Sequence, residues 1–384
     1  MNLFKFIIVN IVETLLRVIP FPCKTGLHII GNPDSNSPVF LTCNYHLTVE
    51  RVKMALRGMD CYLLVANSRG HNVWCGSAGG HLTHHSVISV LKTSGIEEVV
   101  DHRNVVLPQL AATGIEERAI QKKTGWKVIW GPVYAKDIPI FLNKDFTKTP
   151  IMRQVRFTLL QRVEMAVMWA FPFSVIAAAI SYLFWPEMLA SLTVLIWSVS
   201  LFIFLLFPLY SIWLNPKKKR TSFSKYTVVF DIGRIPLAIW MVFMVLLVIY
   251  SSMEGDGSWG YILRWGFASL VVLLIISLDL TGSTPVFKSG LHDDRLLDVV
   301  LNKGKCRGAG LCLEVCPRNC FDVDTSTHTA SMPRSNRCVR CGACIVQCPF
   351  DALSFKSPGG HLIPPAIIRK YKLNLIGKRM IDIE

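Results

Sequence analysis

Apolar positions follow three regimes along the chain. Across 26–145, short β-branched runs alternate with helical patterns. Residues 27–30, 39–42, 62–66, 98–102 and 126–130 read as strands, and 49–56, 82–91, 116–123 and 137–142 read as helices. That alternation predicts an α/β domain with a largely parallel sheet. Across 163–281 the pattern becomes four long apolar stretches, 163–184, 188–209, 232–253 and 263–281. Each is close to the ~20 residues a bilayer core requires, so a four-helix transmembrane domain is predicted. Ahead of both, residues 1–20 are apolar but interrupted. Asn2, Lys5, Asn10, Glu13, Thr14 and Arg17 share about half of a helical wheel, the mark of an amphipathic helix. Glu13 and Asn10 break the apolar core that a signal peptide needs.

The third regime is short, cysteine-rich and internally repeated. The expected boundaries are therefore 1–20, 21–150, 151–284, a linker at 285–302, 303–356, and a basic tail at 357–384. That tail contains Arg369, Lys370, Lys372, Lys378 and Arg379.

Charge adds orientation. The 384 residues are 51% hydrophobic and 17% charged, with a net charge of +15. No polybasic arm with interleaved aromatics is present, so no nucleic-acid partner is expected. Arg153, Arg156 and Arg162 precede the first apolar stretch. Lys217, Lys218, Lys219, Arg220 and Lys225 separate the second from the third. The other connections carry Glu187, or Glu254 and Asp256. The positive-inside rule then places both soluble ends in the cytoplasm, on a multi-pass protein of the inner (cytoplasmic) membrane with the bilayer as a partner. Glu164, Asp231 and Asp279 lie near span ends, with Arg162 and Arg234 at hand to pair with them. Pro172, Pro208 and Pro236 are expected to bend their helices.

Eight of the twelve cysteines fall between 306 and 348. Cys338-x2-Cys341-x2-Cys344-x3-Cys348-Pro349 is a complete cubane-binding run, in which the fourth cysteine serves the other cluster. The first run, Cys306-x2-Ala309-x2-Cys312-x3-Cys316-Pro317, has alanine at its second position. Cys338, Cys341, Cys344 and Cys316 are thus expected to hold one [4Fe–4S] cluster. Cys306, Cys312 and Cys348 would hold a second, either [3Fe–4S] or a [4Fe–4S] completed by a substitute such as Cys320. A small α+β domain of the bacterial 2[4Fe–4S] ferredoxin type is predicted, with single-electron transfer as its chemistry. Zinc is the competing occupant, and the doubled Cys-Pro spacing favours clusters.

A further cysteine stands apart. After the run at 62–66 comes a Gly-rich loop with Cys75 just before the helix expected from Leu82. Ligand sites of open α/β sheets lie at such strand-to-helix loops. A thiolate near a helix N-terminus is stabilised there and suits a soft metal. A small cysteine buried in a turn is the alternative. The Lys-Ser/Thr ending of a phosphate loop is missing.

Asn72-Val73-Trp74-Cys75 followed by small residues resembles the signature of HgcA, the corrinoid proteins of microbial mercury methylation. The likeness extends through Gly31-Asn32-Pro33, Asn44-Tyr45, His102-Arg103, Leu107-Pro108-Gln109-Leu110, Gly131-Pro132-Val133 and the Met152-Arg153 stretch. The cysteine-rich end resembles HgcB, the dicluster ferredoxin of the same system. The resemblance implies a corrinoid-binding α/β domain with Cys75 as cobalt ligand and catalytic residue. Asn72, Val73, Trp74, Gly76, Ser77, Ala78 and Gly79 would form the cap beside a cobamide. It further implies methyl transfer to Hg(II), a methyl donor protein or methylated pterin, and an upstream low-potential electron donor. Gly79 stands where that signature has lysine, and no cysteine follows Cys348. The acceptor therefore stays open between Hg(II) and another. A membrane-tethered electron-transfer ferredoxin without methyl transfer is the other reading. The Asp-x-His-x-x-Gly motif of other corrinoid proteins is absent, and His81, His84 and His85 read as helix-surface residues.

Overall fold

The computed structural model describes residues 3–211, 228–253, 258–278, 297–357 and 359–371. They form two compact units, each discontinuous in sequence. One comprises residues 1–19 and 156–293; the other comprises 20–155 and 294–384.

The first unit is helical: α1 (Leu3–Leu15), α8 (Leu159–Phe184), α9 (Leu189–Leu205), α10 (Phe207–Tyr210), α11 (Val228–Met253) and α12 (Trp259–Leu278). Among the described residues, three helical stretches are long and apolar enough to cross a membrane: Leu159–Phe184, Pro186–Leu205 and Trp259–Ile276. The second expected stretch ends early, because the helix breaks at Leu206 and Pro208 opens the short α10. Pro172 lies inside α8, which continues through it.

Polarity in this unit runs inside-out. Ser174, Ser181, Ser200, Ser251 and Ser269 are buried, whereas Val175, Ile176, Ile180, Val194, Leu246 and Phe267 are exposed. Several buried polar groups are satisfied within the bundle: Ser200 donates to the Ala166 carbonyl (2.8 Å) and Trp240 to the Gly266 carbonyl (3.0 Å). Helix α1 follows the same rule. Its Glu13 and Thr14 are buried, and Phe4, Ile7, Ile8, Ile11 and Val12 face outward. Glu164 pairs with Arg17 at 3.2 Å rather than with Arg162, which instead donates to the Leu205 carbonyl (2.5 Å). Two residues apart on one helix, Arg162 and Glu164 point to different faces, and the guanidinium serves a helix-end carbonyl that has no intrahelical donor. The basic residues Lys217, Lys218, Lys219, Arg220 and Lys225, the acidic Glu254, Asp256 and Asp279, and the tail residues Lys372, Lys378 and Arg379 lie outside the described residues. So do most of the expected linker and the side chains of Asp231, Arg234 and Pro236.

The second unit holds a five-stranded sheet of β1 (Gly26–Ile30), β2 (Val39–Cys43), β3 (Cys61–Ala66), β4 (Asn104–Leu107) and β5 (Lys127–Trp130). Their spatial order is β1-β3-β2-β4-β5. Only β1 is antiparallel; its Gly26 opposes Val65, and Ile30 opposes Cys61. In the parallel part, Phe40 pairs with both Leu63 and Val106, and Leu107 with Trp130. Strands β2 and β3 are buried along their whole length, as continuous apolar runs covered on both faces must be. Helices α2 (His46–Ala55), α3 (Val73–Ala78), α4 (His84–Thr93), α5 (Ile96–Val99), α6 (Glu117–Thr124) and α7 (Ile138–Leu142) complete the domain.

The strand expected at 98–102 is displaced. Residues Ile96–Val99 form the short α5 after Gly95 (φ 74°), and pairing starts only at Asn104. Polar anchoring outweighs the β-branched run there. The Glu97 carboxylate accepts from the Trp126 indole (2.8 Å), and Arg103 donates to the Val100 carbonyl (3.1 Å).

The same unit contains the cysteine-rich domain, with β6 (Asp298–Leu301), α13 (Leu311–Glu314), the hairpin β7 (Asp322–Asp324) and β8 (Thr329–Ser331), α14 (Ala343–Gln347), β9 (Leu353–Lys356), β10 (Leu362–Ile363) and α15 (Pro365–Tyr371). Strand β9 is central, antiparallel to β6 and β10. The internal repeat is visible in the backbone. Helices α13 and α14 each start after a left-handed glycine, Gly310 (φ 75°) and Gly342 (φ 76°), which folds the cysteine run back on itself.

Candidate functional site

Two sites emerge in the second unit, and one short turn joins them. The first is at the carboxyl edge of the parallel strands. Asn44, just after β2, is buried and its Oδ1 accepts from the backbone N–H of Ser68 (2.9 Å) and of Gly70 (3.0 Å). One side chain thereby fixes the start of the loop that leaves β3. The Asn72 side chain then caps α3 by accepting from the Cys75 N–H (2.8 Å). Cys75 thus lies within the first turn of α3, not ahead of a helix starting at Leu82. It is exposed, whereas Gly76, Ser77 and Ala78 turn inward and Val73 and Trp74 are half-buried. The two buried cysteines of the α/β domain differ. Burial pushes the Cys43 thiol up to about 11 and the Cys61 thiol up to about 12, so both stay protonated and inert. Beside α3, the His71 and His81 rings stack at 4.5 Å and 13°. Burial, then His71 and Arg69, lower the His81 pKa below its ordinary value. His84 and His85 occupy the first turn of α4.

The underside of α3 rests on a 3-10 turn at Gln109–Thr113 and on Gly114. A Cβ on Gly114 would stand 2.4 Å from the Ser77 carbonyl oxygen and 2.8 Å from that of Leu82. Glycine is what lets the two segments touch.

The second site is the cysteine-rich domain. Cys320 forms side-chain hydrogen bonds with Cys316 and Cys338, and the one to Cys316 holds that thiol below its ordinary value. Cys341 is raised by burial, with Cys316 and Cys338 adding to it; Cys344 is raised by burial, with Cys341 and Cys338 adding. Burial raises Cys312 to about 12, with contributions from Cys348 and Cys306. Cys320, Cys316 and Cys338 thus lie near one another, as do Cys312, Cys348 and Cys306, while Cys344 feels Cys312 as well as Cys341, Cys338 and Cys316. Cys320 sits against the complete set, away from its expected place as substitute in the set that lacks a cysteine at Ala309. Its position four residues past Cys316 carries it round to Cys338. The sulfurs fit a cluster by another observation. Backbone N–H groups donate to Cys306 (from Ala330, 3.3 Å), Cys316 (from Cys320, 3.3 Å), Cys338 (from Arg340, 3.4 Å) and Cys348 (from Ala352, 3.4 Å). Such donors favour thiolates and tune clusters bound to them.

The turn under α3 is also where the cysteine-rich domain docks. Gln347 is buried, and its Nε2 donates to the carbonyls of Ala112 (2.8 Å) and Ile115 (2.5 Å). Its Oε1 accepts from the Glu117 N–H (3.3 Å). Arg118 donates to the Cys348 carbonyl at 2.6 Å. Lys148 is fully buried, bonded to Gln109 Oε1 (3.0 Å) and to the carbonyl and carboxylate of Glu314 (both 2.9 Å). Burial lowers its pKa to about 8 against the opposing pull of Glu314. Sequence reasoning passed over Gln347, Arg118 and Lys148. The repeat held a signal for one of them: aligning the two cysteine runs sets Gln347 opposite Val315, a polar residue in a core position.

With this geometry in view, the likeness to known proteins can be placed. Residues 17–142 match the family described as CO dehydrogenase/acetyl-CoA synthase delta subunit. Residues 305–352 match the 4Fe-4S dicluster domain. The chain is similar to the acetyl-CoA decarbonylase/synthase complex subunit gamma of Methanopyrus kandleri, 38% identical over 128 residues, and to that of Archaeoglobus fulgidus, 38% over 129. The subunit gamma of Methanothermobacter thermautotrophicus is 40% identical over 127 residues. Each match covers 33% of this chain and 27% of the relative, so the chain spans about a quarter of the length of those proteins. An α/β segment of this type is thus joined in one chain to a dicluster ferredoxin segment.

Proposed function

We propose that the protein is a corrinoid-dependent methyl-transfer enzyme whose fused ferredoxin keeps the corrinoid reduced, with Hg(II) as methyl acceptor. One observation carries the reading: an exposed thiol, Cys75, stands in the first turn of a capped helix at the carboxyl edge of the sheet. A soft sulfur donor at a ligand-binding edge suits cobalt better than any imidazole nearby. When bound, the cobamide supplies a metal centre that accepts a methyl group and hands it on. The chain's own residues hold and shape that site. Cys75 would be the cobalt ligand, Asn72 fixes its backbone, and Val73, Trp74, Gly76, Ser77, Ala78 and Gly79 complete the cap. Cys316, Cys338, Cys341 and Cys344 would hold one [4Fe–4S] cluster. Cys306, Cys312 and Cys348 would hold the other, [3Fe–4S] or [4Fe–4S]. A methyl donor protein or methylated pterin and a low-potential electron donor are the partners this chemistry needs.

The helical unit suits a bilayer, since its buried serines and outward apolar residues invert the order of a water-soluble bundle. We read it as four spans with both soluble ends cytoplasmic. A second acceptor is favoured by one observation, Gly79 in place of the signature lysine. In that case the methyl group goes to a carbon, nitrogen or sulfur acceptor rather than to Hg(II).

The test is the anaerobic absorption spectrum of the purified chain with added cobamide. A base-off spectrum with a sulfur-to-cobalt charge-transfer band is expected, and Cys75→Ala should abolish the band and all methyl transfer. A Cys75→Ala protein with the wild-type spectrum and turnover refutes the ligand assignment and leaves the tethered ferredoxin in front. Incubation with Hg(II) and a methyl donor then separates the two acceptors.

A further inference from the structure

The Cys348 side of the ferredoxin domain is closed by the α/β domain. Gln347 spends every polar atom of its side chain on that contact, with two donations and one acceptance. The next residue, Cys348, presents its backbone carbonyl to two guanidinium groups. Arg118 of α6 donates at 2.6 Å, and Arg369 of α15 at 3.2 Å. The two charges are not equivalent. Arg369 has carboxylate partners on both domains: its Nη2 lies 2.5 Å from Asp351 Oδ1 within the ferredoxin domain, and its Nε lies 3.9 Å from Glu116 Oε1 of the α/β domain. Arg118 lowers the Asp351 pKa only as a minor influence behind Arg369, and it donates to the Cys348 carbonyl. It comes from the other domain and reaches the ferredoxin only when the two are docked.

We infer that Arg118 sets the reduction potential of the iron–sulfur site to which Cys348 belongs, so that docking and redox poise are one event. The inference rests on reading Cys306, Cys312 and Cys348 as cluster ligands. Reduction adds one negative charge to the cluster. A cation held against a ligand residue stabilises that charge and raises the potential, as hydrogen bonds and net charge do in iron–sulfur proteins generally. The step is one electron: an external reductant loses it, the cluster gains it, and no bond forms or breaks. The consequence is directional. Docking therefore raises the potential of the Cys348 site above its value without Arg118. Arg118 is a positioning and potential-setting residue and does not touch a substrate.

The experiment is a dithionite redox titration of the anaerobic full-length protein, with no cobamide added, following the EPR signal of each site. Arg118→Gln is expected to lower the midpoint of the Cys348 site by about a tenfold change in its redox equilibrium, which is about 59 mV for one electron. The Cys338 site should hold its midpoint. Arg118→Lys keeps the charge and should restore most of the shift. Lys123→Gln removes an exposed charge from the last turn of the same helix and should move neither midpoint. Equal midpoints for wild type and Arg118→Gln, or the same shift in Lys123→Gln, overturn the inference and leave the ligand reading intact. A signal that survives Cys348→Ala unchanged overturns the ligand reading and the inference with it.

Discussion

Gly114→Ala tests whether the turn beneath α3 holds the Cys75 helix in place. The new Cβ would stand 2.4 Å from the Ser77 carbonyl oxygen, 2.8 Å from the Leu82 carbonyl oxygen and 2.9 Å from Ser77 Cα. All three are backbone atoms, so no flexible side chain can swing away. Restoring ordinary contact requires α3 to retreat by about 1 Å, in the range where overpacking costs about 1–3 kcal/mol. The backbone dihedrals add nothing, because Gly114 has φ −114°, which alanine adopts freely. Against this, the unfolded chain loses freedom, which offsets about 0.4–1 kcal/mol. A net loss of about 1–2 kcal/mol remains. For a unit of this size that is a drop of roughly 2–8 °C in melting midpoint. The assay is thermal unfolding of the detergent-solubilised chain, paired with the alkylation rate of Cys75. The displaced α3 should expose Cys75 further and alkylate faster. Gly125→Ala is the control: it has open space but φ 76°, so it should lose stability without changing the Cys75 rate. A Gly114→Ala protein that melts with wild type and alkylates at the wild-type rate refutes the reasoning.

Lys148 makes stability depend on pH in a definite direction. Its folded pKa is about 8 against an ordinary 10.5. Between those values the unfolded chain holds a proton that the folded chain has released, so stability rises with pH by up to about 1.4 kcal/mol per unit. Wild type should therefore gain on Lys148→Met in melting midpoint from pH 8 to pH 10, and a constant difference across that range would disprove the burial argument. Cys320→Ala should change the EPR signal of the Cys316–Cys338 site and leave the Cys348 site untouched, since its hydrogen bonds go to Cys316 and Cys338; the reverse pattern would restore Cys320 as the substitute ligand. Asn44→Ala strands the N–H groups of Ser68 and Gly70 and should cost about 2–4 kcal/mol, read as a lower melting midpoint, whereas Asn44→Asp, which keeps the acceptor, should cost less.

Much of the sheet was legible because its central strands are buried on both faces and so are continuously apolar, as at Val39–Cys43 and Cys61–Ala66. The same rule failed at Val99 and Val100, where a β-branched pair closes a short helix held by Glu97 and Arg103. Cysteine spacing pointed to a dicluster segment, since loop geometry is encoded locally, and residues 305–352 match such a domain. It could not place Cys320, whose partners come from both runs. The docking contact was invisible for a related reason. Gln347, Arg118 and Lys148 are ordinary polar residues locally; the burial of Gln347 and Lys148, and the Cys348 carbonyl that the exposed Arg118 reaches, come from segments far away in sequence. In α1 the wheel grouped Glu13 and Thr14 on one side; both are buried while Phe4, Ile7 and Ile8 face outward, which reverses what a polar stripe implies about the inside.

The unit that holds both sites is assembled from two pieces of chain, with residues 156–293 made between them. During synthesis the first piece emerges early and must wait for its partner. At ~5–20 residues per second that wait is on the order of 10 s before the ferredoxin segment leaves the ribosome. Throughout it, the docking face stands in water. An apolar face would invite aggregation during that interval. This one instead presents Lys148, Gln109 and the carbonyls of Ala112 and Ile115, all of which hydrate well until Glu314 and Gln347 arrive to replace the water. A lysine that is costly in the finished protein thus keeps the unfinished one soluble.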